Sequence, residues 1–118
     1  MSKGQAEEYT AIAHELGLEI LFEIHDMDEL AKMPSAINIL GVNNRNLTSF
    51  VVDYKYAIDV YHDLPTEKVK ISESGIMNID SFVETIHAGY KACLIGEFLM
   101  KENDPKKTID ELIIAATR

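Results

Sequence analysis

Apolar positions along the chain switch repeatedly between two periods. In residues 6–16, AEEYTAIAHEL, Tyr9, Ile12, Ala13 and Leu16 recur at the three-to-four spacing of an amphipathic helix, and Gly17 follows as its C-terminal cap. LEILFEI then reads as a strand ending at His25-Asp26. Asp26 is placed to cap a short helix through Met33, with Glu29 as its capping-box partner, and Pro34 closes it. Further strands are predicted over Ile37–Val42, Val69–Ser72 and Ala92–Ile95, and helices over Tyr54–Tyr61, Ile79–Ala88 and Asp104–Ala116. Gly89 fits a C-cap of the second of these helices. Asp104 and Pro105 fit the N-cap and first turn of the third.

Strands and helices therefore alternate, which is the pattern of βα units feeding a parallel sheet. Right-handed crossovers place the loops after the strands on one rim. Polar residues gather at that rim: Glu23, Asn43 and Arg45, Glu73-Ser74-Gly75, and Gly96. Four strands each delivering polar groups to one edge define a candidate site. Period-two alternation puts Leu21 with Glu23 on one face and Phe22 with Ile24 on the other. On the third strand Val69, Ile71 and Glu73 share a face, leaving Lys70 and Ser72 opposite. Lys70 is expected to lay its stem on apolar surface and extend its amine to water.

Length and composition bound these expectations. With 118 residues, 47% of them apolar, the chain has material for a single domain, residues 1–118, built on one core. Twenty acidic residues against eleven basic give a net charge of -9, without the basic patch that nucleic acid or an anionic membrane requires. Cys93 is the sole cysteine, so no intrachain disulfide or cysteine-based zinc framework is available, and it reads as a small buried hydrophobe. No metal or cofactor site is expected. The polar start MSKGQAEEY lacks a signal peptide's apolar segment, and no apolar run reaches membrane-spanning length; the expected location is the cytoplasm.

The segments LGLEILFEIHDMDEL, ILGVNNRNLTSF, KISESGI and CLIGEFLM, in that order and spacing, resemble the C-terminal half of indole-3-glycerol phosphate synthase over nearly the whole chain. The resemblance implies strands five to eight of a TIM (β/α)8 barrel. It also implies an activity in tryptophan biosynthesis: ring closure, decarboxylation and dehydration of 1-(2-carboxyphenylamino)-1-deoxyribulose 5-phosphate. Carried over by motif, Glu23 matches the general base and Glu73 the second carboxylate facing substrate. Asn43 and Arg45 match substrate contacts. Ser74, Gly75 and Gly96 match the phosphate site, with Glu97 beside it at a variable position.

The chemistry is consistent with these residue types. Phosphate needs glycine where backbone approaches closely, a hydroxyl donor and free N–H groups. Ser74-Gly75 and Gly96 offer them, and the Glu97 side chain is expected to point away. Glu23 and Glu73 could divide base and hydrogen-bonding duties, with Arg45 compensating substrate charge. Bland alternatives stand beside these: a solvated strand-end glutamate, a surface arginine, Asn43 and Asn44 as turn residues, and His25 as a local structural partner of Asp26.

The family's first strand carries a glutamate and a phosphate-contacting lysine, and its third carries a lysine assigned as general acid. No residue here matches them, so the chain is expected to be inactive alone. Four parallel strands do not close a barrel. Their bare edges and the apolar face around Leu21, Ile39, Val69 and Ile71 leave three outcomes open: a homodimer, a separately supplied N-terminal half, or rearrangement to a flavodoxin-like sandwich. Functionally the alternatives are a C-terminal portion of the synthase, a natural half-enzyme needing a partner chain, and a non-catalytic phosphate-binding or assembly module.

Overall fold

The computed structural model describes residues 1–117. Four strands, β1 (Leu21–Ile24), β2 (Ile39–Asn43), β3 (Val69–Glu73) and β4 (Ala92–Leu94), form one all-parallel sheet in sequential order. The helices are α1 (Lys3–Glu15), α2 (Lys55–Val60), α3 (Ile79–Ala88), α4 (Glu97–Met100) and α5 (Pro105–Ala116). A 3₁₀ turn over Met27–Lys32 takes the place of a helix after β1. Among the described residues, no helix is long and apolar enough to cross a membrane.

Local chemistry sets most boundaries. Ser2 and Gln5 form a capping box, so α1 starts three residues before the apolar stripe. Asp26 and Glu29 make the predicted box, but the segment winds as 3₁₀ helix. Asp104 caps α5 with Pro105 in its first turn, and Gly89 ends α3. The first strand is shorter than its apolar run, because residues 18–20 lie outside the ladder. Directly after Gly96, Glu97–Met100 forms one helical turn.

Period-two alternation divides the sheet as expected. Ile24, Leu40 and Val42 meet Ala57, Leu64 and Tyr90 beneath the helices in the core. The other face carries Leu21, Val69 and Leu94, exposed at 44%, 45% and 60%. Sequential strand order with one open face is that of a four-stranded half barrel; the flavodoxin-like alternative, with helices on both faces, is not adopted. The molecule is correspondingly open, with a radius of gyration of 15.3 Å against roughly 13.5 Å for a compact domain of this length.

Lys70 corrects the sequence reading. It is buried, and its ammonium donates to the Pro65 carbonyl at 2.9 Å while lying 5.0 Å from the Tyr61 ring centroid. The turn after α2 bends back beneath β3 and supplies both partners, so the amine never reaches water. Neighbouring Ser72 is also wholly buried, with its hydroxyl accepting from Asn44.

Candidate functional site

The strand register carries the rim residues into two adjacent groups. Glu23 stands beside Gly41 across the β1–β2 pairing, and Asn43 stands beside Glu73 across β2–β3. Glu73 reaches diagonally back over Gly41 toward Glu23. It is 2% exposed, and its Oε2 has no hydrogen-bond partner among the described residues. Burial, and then the neighbouring Glu23 carboxyl, push its carboxyl up to about 8. On its other side, Glu23 Oε2 lies 3.3 Å from His25 Nε2. Glu29 Oε1 sits 3.8 Å from His25 Nδ1 and accepts from the His25 backbone N–H at 2.8 Å. The structural partners of His25 are thus Glu23 and Glu29, rather than Asp26.

The second group lines a cleft of about 460 Å³ between the ends of β3 and β4. Arg45, Ser74, Gly75, Gly96 and Glu97 all border it. Ser74 and Gly75 are both left-handed, with φ of 69° and 83°. A Cβ at Gly75 would stand 3.1 Å from Tyr54 N and from Val52 Cγ1, so both conformation and space call for glycine there. The Gly75 and Gly96 N–H groups meet no acceptor among the described residues. Arg45 is set at the cleft by its bridge to Val52. Glu97 turns to Lys101 at 2.9 Å, and its carboxyl is held below the usual range chiefly by that hydrogen bond, with a smaller pull from Arg45.

Asn43 is divided between roles. Its Oδ1 accepts from Arg45 N at 2.9 Å, a turn contact, while the residue borders a rim cleft with His25 and Arg45. Two residues escaped the sequence reading. Asn44 is no simple turn residue: its amide donates to Ser72 Oγ and to the Ser74 carbonyl, both at 3.0 Å, and its Oδ1 accepts from Ala57 N at 2.9 Å. It ties the end of β2 to the strained Ser74 turn and to α2. Gly41 was the other, visible only as a glycine inside an apolar strand, a signal for close approach. Burial pushes the half-buried Cys93 thiol up to about 11, which suits a packing residue. Among the described residues, no group of three metal-ligating side chains occurs.

Parallel strands in sequential order, with carboxylates, an arginine and glycine turns at their carboxyl ends, place the chain in the class of (β/α)-barrel units with a polar rim. The family model described as indole-3-glycerol phosphate synthase matches residues 1–112. Indole-3-glycerol phosphate synthase of Bacteroides thetaiotaomicron is 37% identical over 98% of this chain and 44% of its own length. That of Koribacter versatilis is 38% identical over 86% of this chain and 39% of its own. A chain of the crystal structure of the Amycolatopsis orientalis BexX/CysO complex has the same fold, with a TM-score of 0.70 at 16% identity, over 98% of this chain and 48% of that one. The chain belongs to the indole-3-glycerol phosphate synthase family, and it spans less than half the length of these relatives.

Proposed function

We propose that residues 1–118 are strands five to eight of an indole-3-glycerol phosphate synthase barrel, supplying the phosphate cleft and two of its carboxyls. The observation that carries this reading is convergence: Arg45, Ser74, Gly75 and Gly96 border one cleft, and the Glu23–Glu73 pair lies on the adjoining sheet face. In this reading the substrate phosphate takes the glycine N–H groups and the Ser74 hydroxyl. Arg45 and Asn43 orient the rest of the molecule, while Glu23 removes the ring proton. The substrate is 1-(2-carboxyphenylamino)-1-deoxyribulose 5-phosphate.

Four further strands complete the site, whether in the same polypeptide or another. The accessible surface is 7573 Å², against roughly 6,450 Å² for a compact monomer of 13.3 kDa. That excess favours a large unmet interface. A second copy is the less favourable occupant. A groove lined by Ala6, Tyr9 and Ala13 of α1 and by Leu21 of β1 shows that α1 already overhangs the free edge of β1. A second copy bringing β4 together with α5 to that edge would set two helices over one seam. A complement that ends in a bare strand fits the groove.

Titration of the chain with inorganic phosphate, followed by amide NMR, tests the cleft: shifts centred on Ser74, Gly75 and Gly96 are expected. No turnover is expected from the chain alone, and turnover is expected after mixing with the first four strands of a family barrel. Synthesis by the isolated chain would overturn the half-site reading. Phosphate binding without turnover in the completed barrel would favour a non-catalytic module instead.

A further inference from the structure

The Glu23–Glu73 pair is an arrangement that ordinary sheet geometry opposes. Glu73 belongs to β3 and Glu23 to β1, with β2 between them. Neighbouring strands lie about 4.8 Å apart, and Glu73 is also two residues out of register with Glu23, so the two Cα atoms are separated by more than twice that distance. Whatever side chain β2 presents on this face stands in the way. The register puts Gly41 there, directly beside Glu23 and one diagonal step from Glu73. A Cβ built on Gly41 collides with Glu73 Oε2 and stands 2.9 Å from its Cδ and 3.2 Å from Leu21 Cδ1. The Glu73 carboxyl therefore occupies the volume of the missing side chain. Gly41 lies inside a ladder and has no left-handed backbone to explain it; close approach is the reason for glycine here.

We propose that Gly41 is the positioning residue of the carboxyl pair: its bare backbone lets Glu73 lie flat across β2 and share one proton with Glu23. Two ionised carboxylates repel and only a neutral one can donate, so sharing a proton makes one member of the pair a neutral acid. Glu73 is the member that holds the proton. It is nearly fully buried with an unpartnered oxygen, whereas Glu23 is more exposed and faces the His25 ring on its other side. Among the described residues, the groups facing Glu73 offer no other hydrogen bond or opposite charge. From β2 come Gly41 and Asn43, from β4 Ala92 and Leu94, and from β1 Glu23, with His25 and Glu29 behind it. The rim thus presents a base and a carboxylic acid side by side at neutral pH, an opposition of protonation states that acid–base chemistry uses. These four strands then carry a proton donor of their own, apart from any lysine supplied by the completing strands.

The inference rests on the proposed reading of Glu23 and Glu73 as the reacting carboxyls, but its test needs neither substrate nor a second half. The 118-residue chain, ¹³C-labelled at glutamate side-chain carboxyls, is titrated by NMR, with Glu73→Gln identifying the resonance. In the unaltered chain Glu73 is expected to titrate near pH 8. Gly41→Ala is expected to push it off the sheet face, bringing its midpoint down by about 3 pH units toward the ordinary carboxylate range. A Glu73 midpoint that stays near 8 in Gly41→Ala, or lies in the ordinary range in the unaltered chain, overturns the proposal. Urea denaturation guards against a variant that does not fold. Gly41→Ala should lower the midpoint in the native background and have little effect in Glu73→Ala, where the volume has been vacated. Equal losses in both backgrounds would overturn the proposal as well. Failure here leaves the phosphate titration untouched, and failure there leaves this coupling intact.

Discussion

The Asn44 side-chain amide donates to the Ser72 hydroxyl and the Ser74 carbonyl together, both at 3.0 Å, from a position that is itself buried. One side chain thereby joins the floor of the core to the left-handed turn that borders the cleft between β3 and β4. Its Oδ1 also accepts from the Ala57 N–H, fixing α2 to the same point. Asn44→Ala leaves a buried N–H and a carbonyl without partners, each costing about 1–3 kcal/mol. Stability by urea denaturation is expected to fall by about 3 kcal/mol, and the Ala57 amide should lose its protection from hydrogen exchange. Asn44→Asp should fare little better, because it turns an oxygen toward the Ser74 carbonyl. Wild-type protection of Ala57 in Asn44→Ala would contradict this role.

Lys70 offers the opposite case, a buried polar group whose removal should cost little. Its ammonium has one carbonyl and one aromatic face as partners and no carboxylate among the described residues. Replacing a buried charge with an apolar group of similar volume is often neutral or stabilising. Lys70→Met is therefore expected to stay within about 1 kcal/mol of the native chain. Lys70→Ala, which empties the stem's volume over Tyr61, should lose about 3 kcal/mol. Equal losses in the two variants would mean that the ammonium, not the stem, holds β3 to the turn at Pro65.

The sequence showed most of what depends on near neighbours. Asp26 with Glu29, Asp104 with Pro105, and Gly89 each act within one turn, so their residue types announce them. Apolar alternation was enough to separate the core face of Ile24 and Val42 from the open face of Leu21 and Val69. The rim motifs likewise named Arg45, Ser74, Gly75 and Gly96, which share a cleft. What stayed hidden depends on contacts between distant segments. Asn44 meets residues 28 and 30 positions away, Lys70 meets a returning turn, and Gly41 matters only because Glu73 crosses over it. Residue type shows that such groups need a partner, but topology decides which one.

Open surface at Leu21, Val69 and Leu94, together with unpaired outer edges on β1 and β4, should make the isolated chain associate. Sedimentation velocity is expected to show weight-average mass rising with concentration, and Val69→Lys should suppress the rise without lowering stability by more than about 0.5 kcal/mol. Addition of the completing strands should replace the self-associated species with one of defined mass. A monomer that stays clean at high concentration would mean that the open face is not adhesive.

Glu73 should also leave its mark on stability as a function of pH. Its folded-state carboxyl is raised to about 8, whereas in the unfolded chain it titrates near about 4.3. Between those values the folded state retains a proton that the unfolded state has released, so stability falls as pH rises. The contribution is fully present below the unfolded value and is lost as pH passes through the folded one. The urea midpoint is therefore expected to decline from pH 5 toward pH 9, and Glu73→Gln, which keeps a neutral hydrogen-bonding group in the same place, should flatten that decline. Glu23 is the groups' nearest charge, so Glu23→Gln should flatten it in part by removing the like charge while leaving Glu73 buried. An unchanged slope in Glu73→Gln would mean that the decline belongs to other groups and that Glu73 is ionised in the folded chain.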